Sequence, residues 1–225
     1  MNNDCFSLIA QFMPRKESVK LTPETAVNNF PKKVVIKSFD EALQFYTWCH
    51  TFDTSNLEEV TYCICDMRWG AVPEGAFVGW TPPSVKKLSI NVYNHCDYRI
   101  MDTVEDLTLN QASNLDFNLH DSIKKLHLEK RFDGRITWWP DALEELRIDS
   151  WMMPENGAGP DVLELPDGIR EIYINYGVPI EVHVWPAELK KLTLVKSYDD
   201  AVENWLNMQH GPIPEDVEVH TVHVS

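Results

Sequence analysis

Eight histidines and five cysteines are the residues of this 225-residue chain best suited to metal binding or nucleophilic chemistry. Their spacing argues against both. His95-Cys96-Asp97 and the pair His220 and His223 carry ligating atoms, but neither has the paired spacing of a structural zinc site. No GxSxG elbow, Gly-rich phosphate loop or HExxH occurs. Cys63 and Cys65 fall on the same side of one extended segment and read as free thiols. Trp139 and Trp185 share a repeat position with Leu165, which suits core wedges better than ligand-stacking rings. The expectation is a protein that is not an enzyme, with no catalytic residue, no metal and no cofactor. Its side chains would serve recognition.

Recognition needs side chains held in fixed columns, and a recurring phrase supplies them. An apolar residue, two residues that are mostly charged, and then apolar-x-apolar recur seven times. The copies begin at Leu57, Val85, Val104, Ile123, Leu143, Ile169 and Leu189. The second apolar positions are Val60, Leu88, Leu107, Leu126, Leu146, Ile172 and Leu192, at steps of 28, 19, 19, 20, 26 and 20 residues. Apolar-x-apolar is a short strand with two side chains inward and one outward. A strand this short cannot bury its face alone, whereas stacked copies bury a continuous core, so the repeat predicts a parallel-strand solenoid. Pro82, Pro140, Pro166 and Pro186 stand three residues before their phrases and favour an extended entry. Units of 19–20 residues leave room for an extended, irregular or 3-10 return and hardly for a full helix.

The outward positions form three columns. The first is Glu59, Lys87, Asp106, Lys125, Glu145, Glu171, Lys191. The second is Thr61, Ser89, Thr108, His127, Arg147, Tyr173, Thr193. The third is Cys63, Asn91, Asn110, Glu129, Asp149, Asn175, Val195. Tyr and Arg are the common anchors of protein interfaces. The candidate partner-binding residues are therefore Arg147 and Tyr173 at the centre, with His127, Glu129, Asp149 and Asn175 around them.

The ends differ from the middle. Residues 39–51 are expected to form a helix with Phe39, Ala42, Leu43, Tyr46 and Cys49 on one side, capped by Ser38 or Asp40. It lies between a strand at residues 34–36 and the first phrase. A second helix is expected over 199–209, stopped by Gly211-Pro212. Residues 217–224 alternate but shift phase at His220-Thr221, which predicts a bulge or an irregular edge. The organisation expected is a cap at 1–56, a solenoid at 57–196 and a cap at 197–225, in one right-handed domain of seven or eight strands.

Composition is globular: 44% hydrophobic, 11% aromatic. The net charge of −15 disfavours nucleic acid and anionic membrane surfaces and favours a basic protein partner. Residues 1–40 carry net +2, residues 41–196 net −11 and residues 197–225 net −6. No apolar run is long enough to span a bilayer, no secretory leader is evident and no Asn-x-Ser/Thr sequon occurs, so a reducing, cytoplasmic setting is expected.

The phrase Pro-x-x-apolar-x-x-Leu-x-Leu resembles a leucine-rich repeat, and most closely the FNIP-type variety of amoebae and giant viruses. In that variety Phe-Asn follows the strand and an Ile comes three residues later. Here Leu128 is followed by Phe132-Asp133 and Ile136, and Leu194 by Tyr198-Asp199 and Val202. The Asn of ordinary leucine-rich repeats is replaced by Tyr93, Ala112, Arg131, Trp151, Gly177 and Ser197. The resemblance covers roughly residues 57–200 and implies a protein-binding solenoid. FNIP-type repeats often follow an F-box, and residues 3–14 resemble its first helix. This implies an alternative function, a substrate-recognition subunit of a ubiquitin ligase docking through residues 1–30.

Overall fold

A computed structural model describes residues 31–64, 79–92, 100–110, 116–129, 132, 135–149, 161–175, 178, 180–196 and 210–223. The chain forms two compact units, residues 1–104 and 105–225. Both are built as parallel-strand repeat coils, as the recurring phrase predicts.

The first unit opens with β1 (Lys33–Ile36), α1 (Phe39–Cys49) and β2 (Glu59–Ile64), followed by β3 (Lys87–Val92). β1 pairs parallel with β2, and β2 with β3. A parallel pair needs a crossover, and α1 supplies the first one. Ser38 is the N-cap, its hydroxyl accepting from the Glu41 N–H at 3.2 Å, while the Glu41 carboxylate accepts from the Lys37 N–H. The buried helix residues are Ala42 and Phe45. Leu43, expected on the inner side, is 38% exposed. Phe45 takes the inner place, and the ring of Trp80 lies 6.3 Å from it, edge to face. Tyr62 is fully buried on β2 and donates its hydroxyl to the Trp80 carbonyl at 2.6 Å. Burial, with the nearby Cys49 adding to it, pushes the Tyr62 hydroxyl well above its ordinary pKa, and burial pushes the Cys49 thiol up to about 12. Both groups stay neutral in this core.

The second unit contains β4 (Asp106–Asn110), β5 (Asp116–Asn118), β6 (Lys125–Leu128), β7 (Arg135–Trp138), β8 (Glu145–Ile148), β9 (Asp161–Val162), β10 (Glu171–Asn175), β11 (Ile180–Glu181), β12 (Lys191–Lys196) and β13 (Glu218–His223). Its sheet runs β4-β6-β8-β10-β12-β13, all parallel. The returns are extended rather than 3-10 where they are described, and they form two small parallel pairs, β5 with β7 and β9 with β11. The second-helix expectation at 199–209 lies outside the described residues. The bulge expected at His220-Thr221 is absent: β12 and β13 stay in continuous register from Lys191↔Glu218 to Lys196↔His223. Residues 218–222 are all exposed, so burial does not impose an alternating pattern there and a phase shift in the sequence needs no backbone irregularity.

One turn is reused throughout. The N–H of the first phrase residue bonds the carbonyl three residues earlier: Leu57 to Thr54 and Val85 to Pro82 in the first unit, and Ile123 to His120, Leu143 to Pro140, Ile169 to Pro166 and Leu189 to Pro186 in the second; Val217, just before β13, bonds Pro214 in the same way. Proline suits this place because the turn uses only its carbonyl. A second contact locks each coil to the previous one. The Lys124 carbonyl accepts from both Glu144 and Glu145, Glu144 from Arg170 and Glu171, and Arg170 from Lys190 and Lys191. The mostly charged pair in the phrase therefore works through its backbone.

Two inward columns run through the core of the second unit, alongside the buried first phrase residues Ile123, Leu143, Ile169 and Leu189. Leu107, Leu126, Leu146, Ile172 and Leu192 form one, and Leu109, Leu128, Ile148, Ile174 and Leu194 the other; all are buried. Each such side chain contributes about 1.5–3 kcal/mol relative to an exposed one.

Candidate functional site

The parallel register of the second unit aligns the column residues as the sequence requires, except that Val195, expected to face outward, is buried. Thr108, His127, Arg147, Tyr173, Thr193 and His220 stand on successive strands at one level. Strands in a sheet run about 4.8 Å apart, so neighbours in such a row are within side-chain reach.

Contact follows from that spacing. The Arg147 guanidinium carbon lies 4.2 Å from the centre of the Tyr173 ring, a cation–π arrangement. Arg147 Nε donates to Asp149 Oδ1 at 3.0 Å, and His127 Nε2 lies 2.7 Å from Asp149 Oδ2. His127 Nδ1 is 3.6 Å from Glu129 Oε1, and Asn110 Nδ2 donates to Glu129 Oε2 at 2.9 Å. Five of the six candidate residues thus form one chain of contacts across three strands and the turn-entry positions after them. Asn175, the sixth, is half-buried in the next place on β10, in register with Val195.

Asp149 is the hub. Burial acts most strongly on its carboxyl and would raise its pKa, but the hydrogen bonds and charges of His127 and Arg147 together outweigh burial and hold it below the usual carboxylate range. Burial, partly opposed by the Arg147 charge and reinforced by Asp149, raises the Tyr173 hydroxyl. Tyr173 therefore presents a neutral ring, and Arg147 is held over it from below by a carboxylate.

The depressed Asp149 pKa has a sign that can be measured. Its contribution to stability is present above the ordinary carboxylate value of 3.8 and is lost as pH falls through the lower folded-state value. The urea midpoint of Asp149→Asn is therefore expected below that of wild type at pH 7, with the gap narrowing as pH falls below 3.8 and closing below the folded-state value. Equal midpoints at pH 7 would contradict the network.

Charged pairs border this row on the first column. Lys125 bonds Glu145, and Lys191 lies 3.8 Å from Glu171. These pairs are solvent-exposed, so they set the charge pattern more than they stabilise the fold.

Other sequence candidates separate clearly. Cys63 is a half-buried free thiol whose Sγ accepts from Asn91 Nδ2 at 3.9 Å; Cys65 lies outside the described residues. Among the described residues no group of three or more His, Cys, Asp or Glu is placed to hold a metal ion, and His95-Cys96-Asp97 lies outside them. Also among the described residues, no helix is long and apolar enough to cross a membrane. Trp185 is buried as a wedge and donates from Nε1 to the Gly211 carbonyl at 2.9 Å. Trp139 and Leu165 are only half-buried and line a groove instead of a core. Trp138, which the sequence reading passed over, is 58% exposed. It shares a groove with the half-buried Ile136 two residues before it.

No protein-family model matches this chain, and neither the curated proteins nor the solved structures contain a match.

Proposed function

We propose that this chain is a non-enzymatic protein-interaction module that binds a partner through the strand face of its second unit. Arg147 over Tyr173 carries the reading. An arginine already stacked on an aromatic ring and tied to a carboxylate loses little freedom on binding, and such residues dominate interface energies. Acidity favours a basic partner: residues 105–225 hold 10 basic and 23 acidic side chains, net −13.

Kinship with FNIP-type repeat proteins is part of the same proposal. Its support is Phe132, which is fully buried at the position where that repeat type carries Phe, with its N–H bonded to the Glu129 carbonyl at 3.2 Å. The segment that would act as an F-box lies outside the described residues.

The test is affinity purification from the native cell, comparing wild type with Arg147→Ala and Tyr173→Ala. A direct partner recovered with wild type is expected to bind each variant at least about tenfold more weakly, the effect of removing one hot-spot side chain. Unchanged affinity in both variants would overturn the assignment of this face.

A further inference from the structure

The return side of the second unit holds a groove of about 550 Å³, within the range of small-ligand and peptide sites. Trp138, Trp139, Leu165 and Pro166 form its apolar walls, and Asp141 and Glu164 supply its carboxylates. The strand β7 puts Trp138 there, and the turn that follows brings Asp141 beside it. The chain after β9 contributes Glu164 through Pro166. Trp138 is the largest exposed apolar side chain among the described residues, and leaving an indole in water is unfavourable unless something covers it. Asp141 and Glu164 are exposed, and neither forms an ion pair with any described residue.

We propose that this groove is a second docking site, and that its occupant is a short extended peptide carrying arginine. The chemistry is the one this protein satisfies internally on its opposite side. There a guanidinium sits 4.2 Å from the Tyr173 ring and 3.0 Å from the Asp149 carboxylate. Trp138 with Asp141 and Glu164 supplies the aromatic and the anionic halves of that arrangement, and no cationic side chain is among the described residues that line the groove. Tryptophan is the strongest cation–π partner, and arginine pairs with carboxylates through two parallel hydrogen bonds. Aromatic walls beside a proline also suit a polyproline-type backbone, which enters such grooves with little loss of entropy. The net charge of −13 on this unit draws a basic segment toward it. A neutral glycan fits less well, because it would leave the charges of Asp141 and Glu164 uncompensated.

The full chain is titrated with the blocked pentapeptide Pro-Pro-Arg-Pro-Pro, following tryptophan fluorescence and calorimetry at low salt. Saturable binding is expected. Trp138→Ala and the double variant Asp141→Asn with Glu164→Gln should each weaken it by about tenfold, the loss of one cation–π contact or of the paired carboxylates. Arg147→Ala should leave it unchanged, which separates this groove from the strand face. Substituting these exposed side chains leaves the core untouched, and the double variant keeps the shape of the groove. If the Trp138 variant and the double variant both bind as wild type does, the peptide is held by net charge elsewhere and the proposal fails. Absence of saturable binding fails it too, as does saturation by maltotriose in place of the peptide.

Discussion

Gly211→Ala is expected to destabilise the second unit by about 3 kcal/mol, among the larger effects a single methyl group produces. A Cβ on residue 211 would lie 1.9 Å from the His183 carbonyl oxygen and 2.8 Å from its carbon. Both are backbone atoms, so no rotamer change relieves the clash. The segment must move, and two hydrogen bonds move with it. Gly211 donates its N–H to the Val182 carbonyl at 2.8 Å, and its own carbonyl accepts from Trp185 Nε1 at 2.9 Å. Trp185 is a buried wedge that also stacks near His210, with ring centres 6.5 Å apart. Displacing the segment therefore exposes an indole as well as breaking hydrogen bonds. Gly168→Ala is the control. There the nearest backbone atom would be the Asp141 carbonyl oxygen at 3.4 Å, ordinary contact, and a change below about 1 kcal/mol is expected. Urea denaturation at neutral pH measures both. A Gly211→Ala protein as stable as wild type would mean that residues 210–212 are not seated against 182–185.

Leu126→Ala is expected to cost about 3 kcal/mol, within the 2–5 typical of deleting a buried leucine side chain. Leu126 is buried between Leu107 on one neighbouring strand and Leu146 on the other. In a repeat array each coil is stabilised by its neighbours, so a hole in a middle coil weakens two interfaces at once. The matching position on the last strand makes the comparison informative. Val219 lies in the same column, in register with Leu192, yet is 47% exposed because no further described strand pairs beyond β13. Val219→Ala is expected to change stability by less than about 1 kcal/mol, as surface substitutions do. Similar losses at both sites would show that column position alone, without burial, sets the cost.

Together these effects mark where the sequence could be read and where it could not. The strands were legible because each phrase obeys a local rule: two inward apolar residues flank one outward residue, and the register of the second unit then places Arg147 beside Tyr173 without any further information. The turn before each strand was legible for a similar reason, since Pro82, Pro140, Pro166 and Pro186 each offer the carbonyl that the turn uses. Helix α1 was found, yet its inner side was misjudged at Leu43 and Phe45. Periodicity alone gives a wide stripe, and only packing shows that Ala42 and Phe45 fill its centre.

The candidate site shows the same division. The columns named its six residues. Only the folded chain showed that Asp149 is the hub, because a two-residue offset lets its carboxylate reach Arg147 on its own strand and His127 on the next. The hub's depressed pKa is a sum of burial against two cationic or hydrogen-bonding neighbours, and sequence order does not give such distances. The groove on the return side was less legible still. Trp139 and Leu165 occupy the repeat position that in Trp185 is a buried wedge, and the three differ in burial by what packs over them. The Gly211 contact covers Trp185 from 26 residues further along the chain.

By itself the sequence determined the repeat, the parallel stacking, the outward columns and the concentration of negative charge. These depend on alternation and count, which are properties of neighbouring residues. The tertiary structure decided which aromatic side chains are wedges and which line a groove, which carboxylate gathers the cations, and where a glycine admits no side chain. Those outcomes depend on distances between residues far apart in the chain, and packing sets such distances only after the coils have closed.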